Sequence, residues 1–387
     1  MTAKKIHRPM WDGAMGIISS ILLEGKPLDQ TLKAVYKKNP KWGSKDRRFV
    51  GKMVFDCIRY WRKYLVMAGE TWRDDVVWKQ PHVVLAMISW AREHDYELPM
   101  ECLPAPLNVQ LSFADQEAFP DWMARETSPE VLAALNQEAP VFLRVNTLKN
   151  SPASVARMMQ DKGVAVEVLG DTLKIVDRAA FKKATTAELF PAGLFEVQDL
   201  GSQQIAPMLG ARPDDRILDA CAGNGGKTLH LAQLMKNQGQ ITASDIAELK
   251  LRQIEVRCRD ARVSIVRTRL APITDLVFDA VLLDVPCSGL GVIRRHPERK
   301  WQCTPATINE LVQVQRQLLE SYHTAVRPGG ALLYVTCTFI AAENQQQIKS
   351  FLERHPAWHL EEEKVLLTGQ REWDCFYAAR LRFSGPL

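Results

Sequence analysis

The chain has 387 residues, enough for two or three domains and a large buried core. Its hydrophobic content of 46% and charged content of 25% describe an ordinary soluble protein, and the apolar run Val83 to Ala91 is far short of the ~20 residues a membrane span needs. A net charge of +5 permits a polyanionic partner without requiring one.

The N-terminus carries Lys4, Lys5, His7 and Arg8 with no apolar core behind them, so a secretory signal is not expected. Of the eight cysteines, none has Cys-x-x-Cys spacing, which argues against a structural zinc site, and no metal is expected. A cytoplasmic, reducing location with free thiols follows.

Residues 1–139 read as helical. Gly16 to Leu23 and Leu28 to Lys38 are apolar or amphipathic, with Pro40 as a stop. A single helix is expected from Lys45 to Met67, where Phe49, Met53, Cys57, Trp61 and Leu65 recur at intervals of four. Ser44 is a candidate N-cap and Gly69 a candidate stop. Lys45, Lys52, Arg59 and Lys63 share a face, with Arg47, Arg48 and Arg62 nearby; the face is either solvated or a nucleic-acid patch. Trp72 to Glu93 supplies more helix, and Leu98 to Pro106 is a proline-rich connector.

Residues 140–200 suit a small basic α+β module. Val141 to Asn146, Val164 to Leu169 and Thr172 to Val176 are strand-like, and Ser154 to Lys162 is helical. Residues 201–387 alternate strand and helix. Strands are expected over Arg216 to Ala220, Gln240 to Asp245, Ser264 to Arg267, Asp279 to Asp284 and Ala331 to Cys337. The helices between them are Thr228 to Lys236, Ala247 to Arg262 and Thr307 to Val326, and Ala341 to Arg354 follows. This implies an α/β, Rossmann-like, mainly parallel and doubly wound sheet. The late strands Leu360 to Leu367 and Phe376 to Phe383 are hairpin-like and suit an antiparallel addition at one edge.

The stretch Asp219-Ala-Cys-Ala-Gly-Asn-Gly-Gly-Lys-Thr228 joins a strand to a helix. Its glycines admit close approach of a ligand to the backbone, and the helix start offers free amides. It is not a P-loop, because Cys221 stands where the first glycine is required. A nucleoside or amino-acid cofactor site remains, built from Cys221, Ala222, Gly223, Asn224, Gly225, Gly226 and Lys227. Asp245, about 20 residues on, ends the second strand where a carboxylate can take ribose hydroxyls. Asp284-Val-Pro-Cys287 ends the fourth strand, and Cys337 ends the fifth. Two cysteines, each at a strand's C-terminal end, point to covalent chemistry in a crevice above the sheet. Arg294, Arg295, Lys300 and Trp301 lie in Arg294-Arg-His-Pro-Glu-Arg-Lys-Trp301, which is either a solvated loop or a phosphate-and-base contact.

These motifs resemble the RsmB/Sun-type family of S-adenosylmethionine-dependent RNA cytosine-5 methyltransferases. Asp219 to Thr228, Asp284 to Trp301 and Tyr334 to Thr338 carry the resemblance, with Glu343-Asn344, Arg144-Val-Asn-Thr147 and Gln198-Asp199 as lesser matches. The helical region looks like a NusB-type extension. The resemblance implies S-adenosylmethionine as cofactor, with Asp284 also lining its site, and an RNA substrate: small-subunit ribosomal RNA first, transfer RNA as the alternative. It makes Cys337 the nucleophile toward cytosine C6, Cys287 an aid to product release and Asp284 a clamp on the cytosine edge. Arg144, Arg294, Arg295 and Lys300 become RNA contacts, and a monomer suffices. Three positions depart from the family pattern. Gly223-Asn224 replaces Ala-Pro, Arg269 stands near a missing acidic residue, and Asp374-Cys-Phe-Tyr377 replaces Asp-Gly-Phe-Phe. Two rival readings stay open: Cys287 as the nucleophile, as in DNA cytosine-5 methyltransferases, and a catalytically idle RNA-binding assembly factor.

Overall fold

The computed structural model describes residues 4–99, 109–273, 275, 277–369 and 371–385. Most of the expected connector at 98–106, Cys102 included, lies outside the described residues. The chain forms two compact units, residues 1–137 with 293–305, and residues 138–292 with 306–387. Residues 293–305, expected to sit with the catalytic strands, therefore belong to the first unit. No described helix is long and apolar enough to cross a membrane.

In the first unit the long helices are Arg8–Leu22, Leu28–Lys38, Ser44–Arg59, Trp61–Met67 and Gln80–Glu93. Strand β1, Lys4–Lys5, makes a two-residue parallel pairing with β2, Tyr96–Glu97. The stripe Met53, Cys57, Trp61, Leu65 is buried against Trp11, Ile17 and Trp90, as its four-residue spacing requires. The single helix expected over 45–67 is broken at Tyr60 (φ −111°, ψ 31°). The apolar rhythm continues across the break, so periodicity could not reveal it. The helix expected from Trp72 begins only at Gln80. Pro81 fits its first turn, where no N–H is needed, and Lys79 before it is extended.

The basic face is only partly solvated. Lys45, Arg47, Arg48 and Lys52 are exposed. Arg62, in contrast, is buried and paired with Asp115 (2.6 Å) and Asp121 (2.5 Å). The segment 293–305 overturns two further expectations. Lys300 is fully buried, with its ammonium held by Asn136 Oδ1 (2.5 Å) and the carbonyls of Arg59 (3.0 Å), Ala118 (3.2 Å) and Glu117 (3.3 Å). It also lies 3.8 Å from the centre of the Phe119 ring. Burial, and then the charge of Arg59, pushes its pKa well down. The neighbouring indole of Trp301 donates to the Ile58 carbonyl (2.6 Å). Arg294 is also buried, and its carbonyl accepts from Arg59 (2.9 Å). Lys300 and Arg294 are thus interior groups and not the phosphate contacts expected of them. A cation-rich string reads as surface, but here carbonyl oxygens and an aromatic face replace its water.

In the second unit, β3 (Phe142–Val145), β4 (Val166–Leu169), β5 (Thr172–Ile175) and β6 (Phe195–Val197) form an antiparallel sheet of order β4-β5-β3-β6. The helices Pro152–Asp161 and Arg178–Thr186 accompany it. The second of these, capped by Asp177, and the three-residue β6 were not anticipated. The large sheet contains β7 (Arg216–Asp219), β8 (Gln240–Asp245), β9 (Val266–Leu270), β10 (Phe278–Asp284), β11 (Val326–Thr336), β12 (Trp358–Leu366) and β13 (Phe376–Phe383). Its order is β12-β13-β11-β10-β7-β8-β9, with the first five of its strands in chain order parallel and the β12–β13 hairpin antiparallel beside β11. The chain winds outward from β7 in both directions, so the β7–β10 boundary is the switch point where such sheets bind ligands.

Both faces of the central strands are covered, which is why they read as unbroken apolar runs. Ala280 and Leu282 of β10 and Ala331, Leu333 and Val335 of β11 pack on one face. Val281, Leu283, Leu332 and Tyr334 pack on the other.

Replacing Lys300 by alanine removes the donor shared by four acceptors, of which, among the described residues, the Glu117 carbonyl alone keeps a second partner in Asn136 Nδ2. The variant is expected to lose roughly 2–4 kcal/mol from the helical unit's unfolding transition, read by urea denaturation of the full chain.

Candidate active site

The period of two along a strand decides which side chains meet above the sheet. Asp284 continues the face of Ala280 and Leu282, and Cys337, one residue past β11, continues the face of Leu333 and Val335. Asp284 pairs in register with Val335. Adjacent strands thereby deliver Asp284 and Cys337 to the same side, the side that carries the glycine loop and the helix Gly226–Leu234.

The two thiols meet. Cys287 Sγ lies 3.3 Å from Cys337 Sγ, and the Cys337 N–H donates to Cys287 Sγ (3.3 Å). The hydrogen bond to Cys337, and then burial, holds the Cys287 thiol well above its ordinary pKa. Cys57, Cys258, Cys303 and Cys375 are buried core residues, whereas Cys221, Cys287 and Cys337 keep partial exposure. Every partly exposed cysteine among the described residues therefore sits at this end of the sheet.

Lys227, in the first turn of the helix Gly226–Leu234, donates to Asp284 Oδ2 (2.6 Å) and lies over the Phe376 ring (5.8 Å). Burial by itself would lower the Lys227 pKa. The charge and hydrogen bond of Asp284, with a contribution from Cys337, outweigh burial and raise it. A protonated amine therefore stands beside Asp284.

The glycine loop is shaped from behind. Gly223 (φ +54°) and Gly225 (φ +80°) adopt left-handed conformations, and a Cβ on Gly225 would come within 2.8 Å of Ile254. A Cβ on Gly223 would meet nothing within 4 Å, so the loop faces open space there. Asp245 accepts from the N–H groups of Gly223 (3.0 Å) and Ala247 (2.9 Å) and from Lys250 (3.4 Å). Oδ1, which takes only the Ala247 N–H, keeps acceptor capacity for a further hydroxyl. Arg257 binds both the Asn224 carbonyl and Glu196, which braces the loop from β6. Asp219 is buried; Thr228 donates to one of its oxygens (2.6 Å), and the other lacks a partner among the described residues. Burial pushes the Asp219 pKa up to about 7. Burial likewise pushes Cys221 up to about 12, which leaves it an inert thiol.

Cys221 to Lys227, Asp245, Asp284, Cys287 and Cys337 are thus gathered at the ends of β7, β8, β10 and β11. Arg144 is not on a nucleic-acid surface. It is buried and donates to Gln198 (2.7 Å), Gln233 (2.7 Å) and the Gly226 carbonyl (3.1 Å), bracing the helix behind the glycine loop. Arg269 forms an exposed pair with Asp275 (3.1 Å). Sequence reasoning also gave no role to Glu343 and Gln315, which are buried against the Cys287 loop. The signal for Gln315 was present: it lies on the stripe of Ile308, Leu319 and Tyr322, a polar residue on a buried helical face.

The sequence profile described as 16S rRNA methyltransferase RsmB/F matches residues 206–381, and the RsmF/B-like ferredoxin-like domain matches residues 118–177. A probable ribosomal RNA small subunit methyltransferase B of Synechocystis is 34% identical over 270 residues, 65% of this chain and 60% of that protein. The ribosomal RNA small subunit methyltransferase B of Pasteurella multocida is 32% identical over 290 residues, 69% of this chain and 63% of that one. The chain thus spans about three fifths of the length of these relatives. Among solved structures, protein PH0851 aligns over 98% of this chain and all of its own, with a TM-score of 0.78 and 25% identity. A methyltransferase homolog from Pyrococcus horikoshii aligns over 66% of this chain and 90% of its own, with a TM-score of 0.58 and 27% identity.

Asp219 binds its proton more tightly in the folded state, at about 7, than at its ordinary 3.8. Its contribution is therefore present at low pH and is lost as pH rises from about 4 to about 7. Asp219→Asn stays neutral throughout and should gain roughly 3 kcal/mol on the parent between pH 4.5 and 7.5, read by urea unfolding.

Proposed function

We propose that this chain is a member of the RsmB/F family of methyltransferases, and that it methylates C5 of a cytosine in small-subunit ribosomal RNA through a covalent Cys337–C6 adduct. The observation that carries this reading is the pair of thiols 3.3 Å apart at adjacent strand ends, beside the Lys227–Asp284 pair.

The site suits S-adenosylmethionine, the cofactor of the family. Open space over Gly223, the amides at the start of the helix Gly226–Leu234 and the Asp245 carboxylate match a ligand with a ribose and an amino-acid end. When bound, that cofactor supplies a methyl group on a cationic sulfur. The residues of the chain activate the acceptor. Cytosine C5 is a poor nucleophile, and addition of the Cys337 thiolate to C6 makes it enamine-like. The S–C6 bond forms as the C5–C6 double bond opens, N3 of the ring takes up the proton that Cys337 gives up on becoming a thiolate, and the Asp284 carboxylate accepts hydrogen bonds from the protonated N3 and the amino group. After C5 is methylated, loss of its proton to a base restores the double bond and expels Cys337 as thiolate. The roles of the cysteines follow from their asymmetry. Cys287 is held as a thiol, while Cys337 contributes to the raised pKa of Lys227 and so interacts with its charge. This supports Cys337 as the nucleophile and Cys287 as the group that assists release. An unpaired cytosine is the expected target, because the base must leave its stack to reach C6.

Bisulfite sequencing of 16S rRNA from cells with and without this gene should show one protected cytosine lost in its absence; loss of none would overturn the activity. With RNA containing 5-fluorocytosine, Cys337→Ala should form no covalent adduct and lose turnover by at least about 1000-fold. Cys287→Ala should still form the adduct, and the reverse pattern would exchange the two assignments.

A further inference from the structure

Glu343 is a fully buried carboxylate that no cation pairs with among the described residues. Burying such a group is costly unless donors surround it. Here the donors all belong to the framework of the two thiols. Glu343 Oε1 accepts from the Ser288 N–H (2.8 Å) and from Gln315 Nε2 (2.9 Å), and Oε2 accepts from the Ser288 hydroxyl (2.5 Å). Gln315 Nε2 also donates to the Pro286 carbonyl (3.0 Å). The residues on both sides of Cys287 are therefore pinned.

The same network reaches Cys337. The Ser288 hydroxyl lies 2.9 Å from that of Thr338, the residue after Cys337. Asn344, next to Glu343, donates to the Thr338 carbonyl (3.0 Å), and its side-chain oxygen accepts from Thr336. The Tyr334 hydroxyl donates to the Glu343 carbonyl (2.6 Å), tying the carboxylate's own backbone to β11.

The two cysteines depend on this network unequally. Cys337 directly follows an eleven-residue strand that holds it in place. Cys287 lies in a stretch without regular structure between Asp284 and Leu290, so its placement comes from Glu343 and Gln315. We propose that Glu343 is a positioning residue that sets Cys287 against Cys337, and that release of the methylated base depends on it more than bond formation does. This rests on the methyl-transfer reading above.

Glu343→Gln can keep an oxygen toward the Ser288 N–H and Gln315, but it puts an amide N–H where the Ser288 hydroxyl now donates, so that bond is lost or reversed. With S-adenosylmethionine and unmodified 16S rRNA transcribed in vitro, its turnover should fall by about 10- to 100-fold. The KM for RNA should be unchanged, and protein–RNA adduct should accumulate on ordinary cytosine. A purely structural role would lower stability without trapping that adduct. Parent-like turnover, or a folded variant that loses turnover without accumulating adduct, overturns the proposal. If Glu343→Gln does not fold, Ser288→Ala decides: adduct accumulation supports the positioning role, and parental behaviour overturns it. The parent enzyme on 5-fluorocytosine RNA separates the two levels. Failure to form an adduct there removes the covalent reaction itself, whereas adduct formation with a parent-like Glu343→Gln removes only the role of Glu343.

Discussion

The in-register pairing of β10 with β11 beside β7 is the constraint on which the site depends. Asp284 opposite Val335 sets the heights at which two loops leave the sheet, and side-chain alternation sets the side. A slip of one residue in either strand would turn Asp284 or Cys337 to the face packed by Tyr334 and Leu283. The switch point between β7 and β10 then places the glycine loop and Lys227 over the same spot. Four separate stretches of sequence converge because one sheet orders them.

Within that spot, burial and charge divide the labour among residues of one type. Cys221 is pushed toward inertness by burial, Cys287 is held as a thiol by its neighbour, and Cys337 interacts electrostatically with Lys227. The pairing of Lys227 with Asp284 more than offsets the burial that by itself would lower the pKa of the amine. Low local dielectric strengthens each of these effects relative to water. The buried network around Glu343 extends the same logic one layer outward, using neutral donors instead of a counter-ion to hold a loop that has no regular structure of its own.

The sheet and the loops at its strand ends were legible in the sequence because they couple local patterns. Glycines after an apolar strand, an acid at the next strand's end and cysteines at two later ends each have a local physical reason. What escaped notice depends on partners distant in the chain. Lys300 and Arg294 sit in a string of cations, and only the carbonyls of the helical unit, more than 150 residues away, make Lys300 an interior group. Arg144 looked like an RNA contact until Gln198 and Gln233 closed around it. The break at Tyr60 leaves the hydrophobic rhythm intact, and β6 is too short to carry a period. Glu343 stood in plain view next to Asn344, but its acceptors meet donors 28 and 55 positions away.

The division of labour between the two thiols is most directly tested by finding which of them carries the base. A 16S rRNA fragment containing 5-fluorocytosine would be incubated with the protein and S-adenosylmethionine, the adduct digested, and the nucleotide-bearing peptide sequenced by tandem mass spectrometry. The account predicts the modification on Cys337, in the peptide that runs on from β11. Modification of Cys287 instead would contradict it.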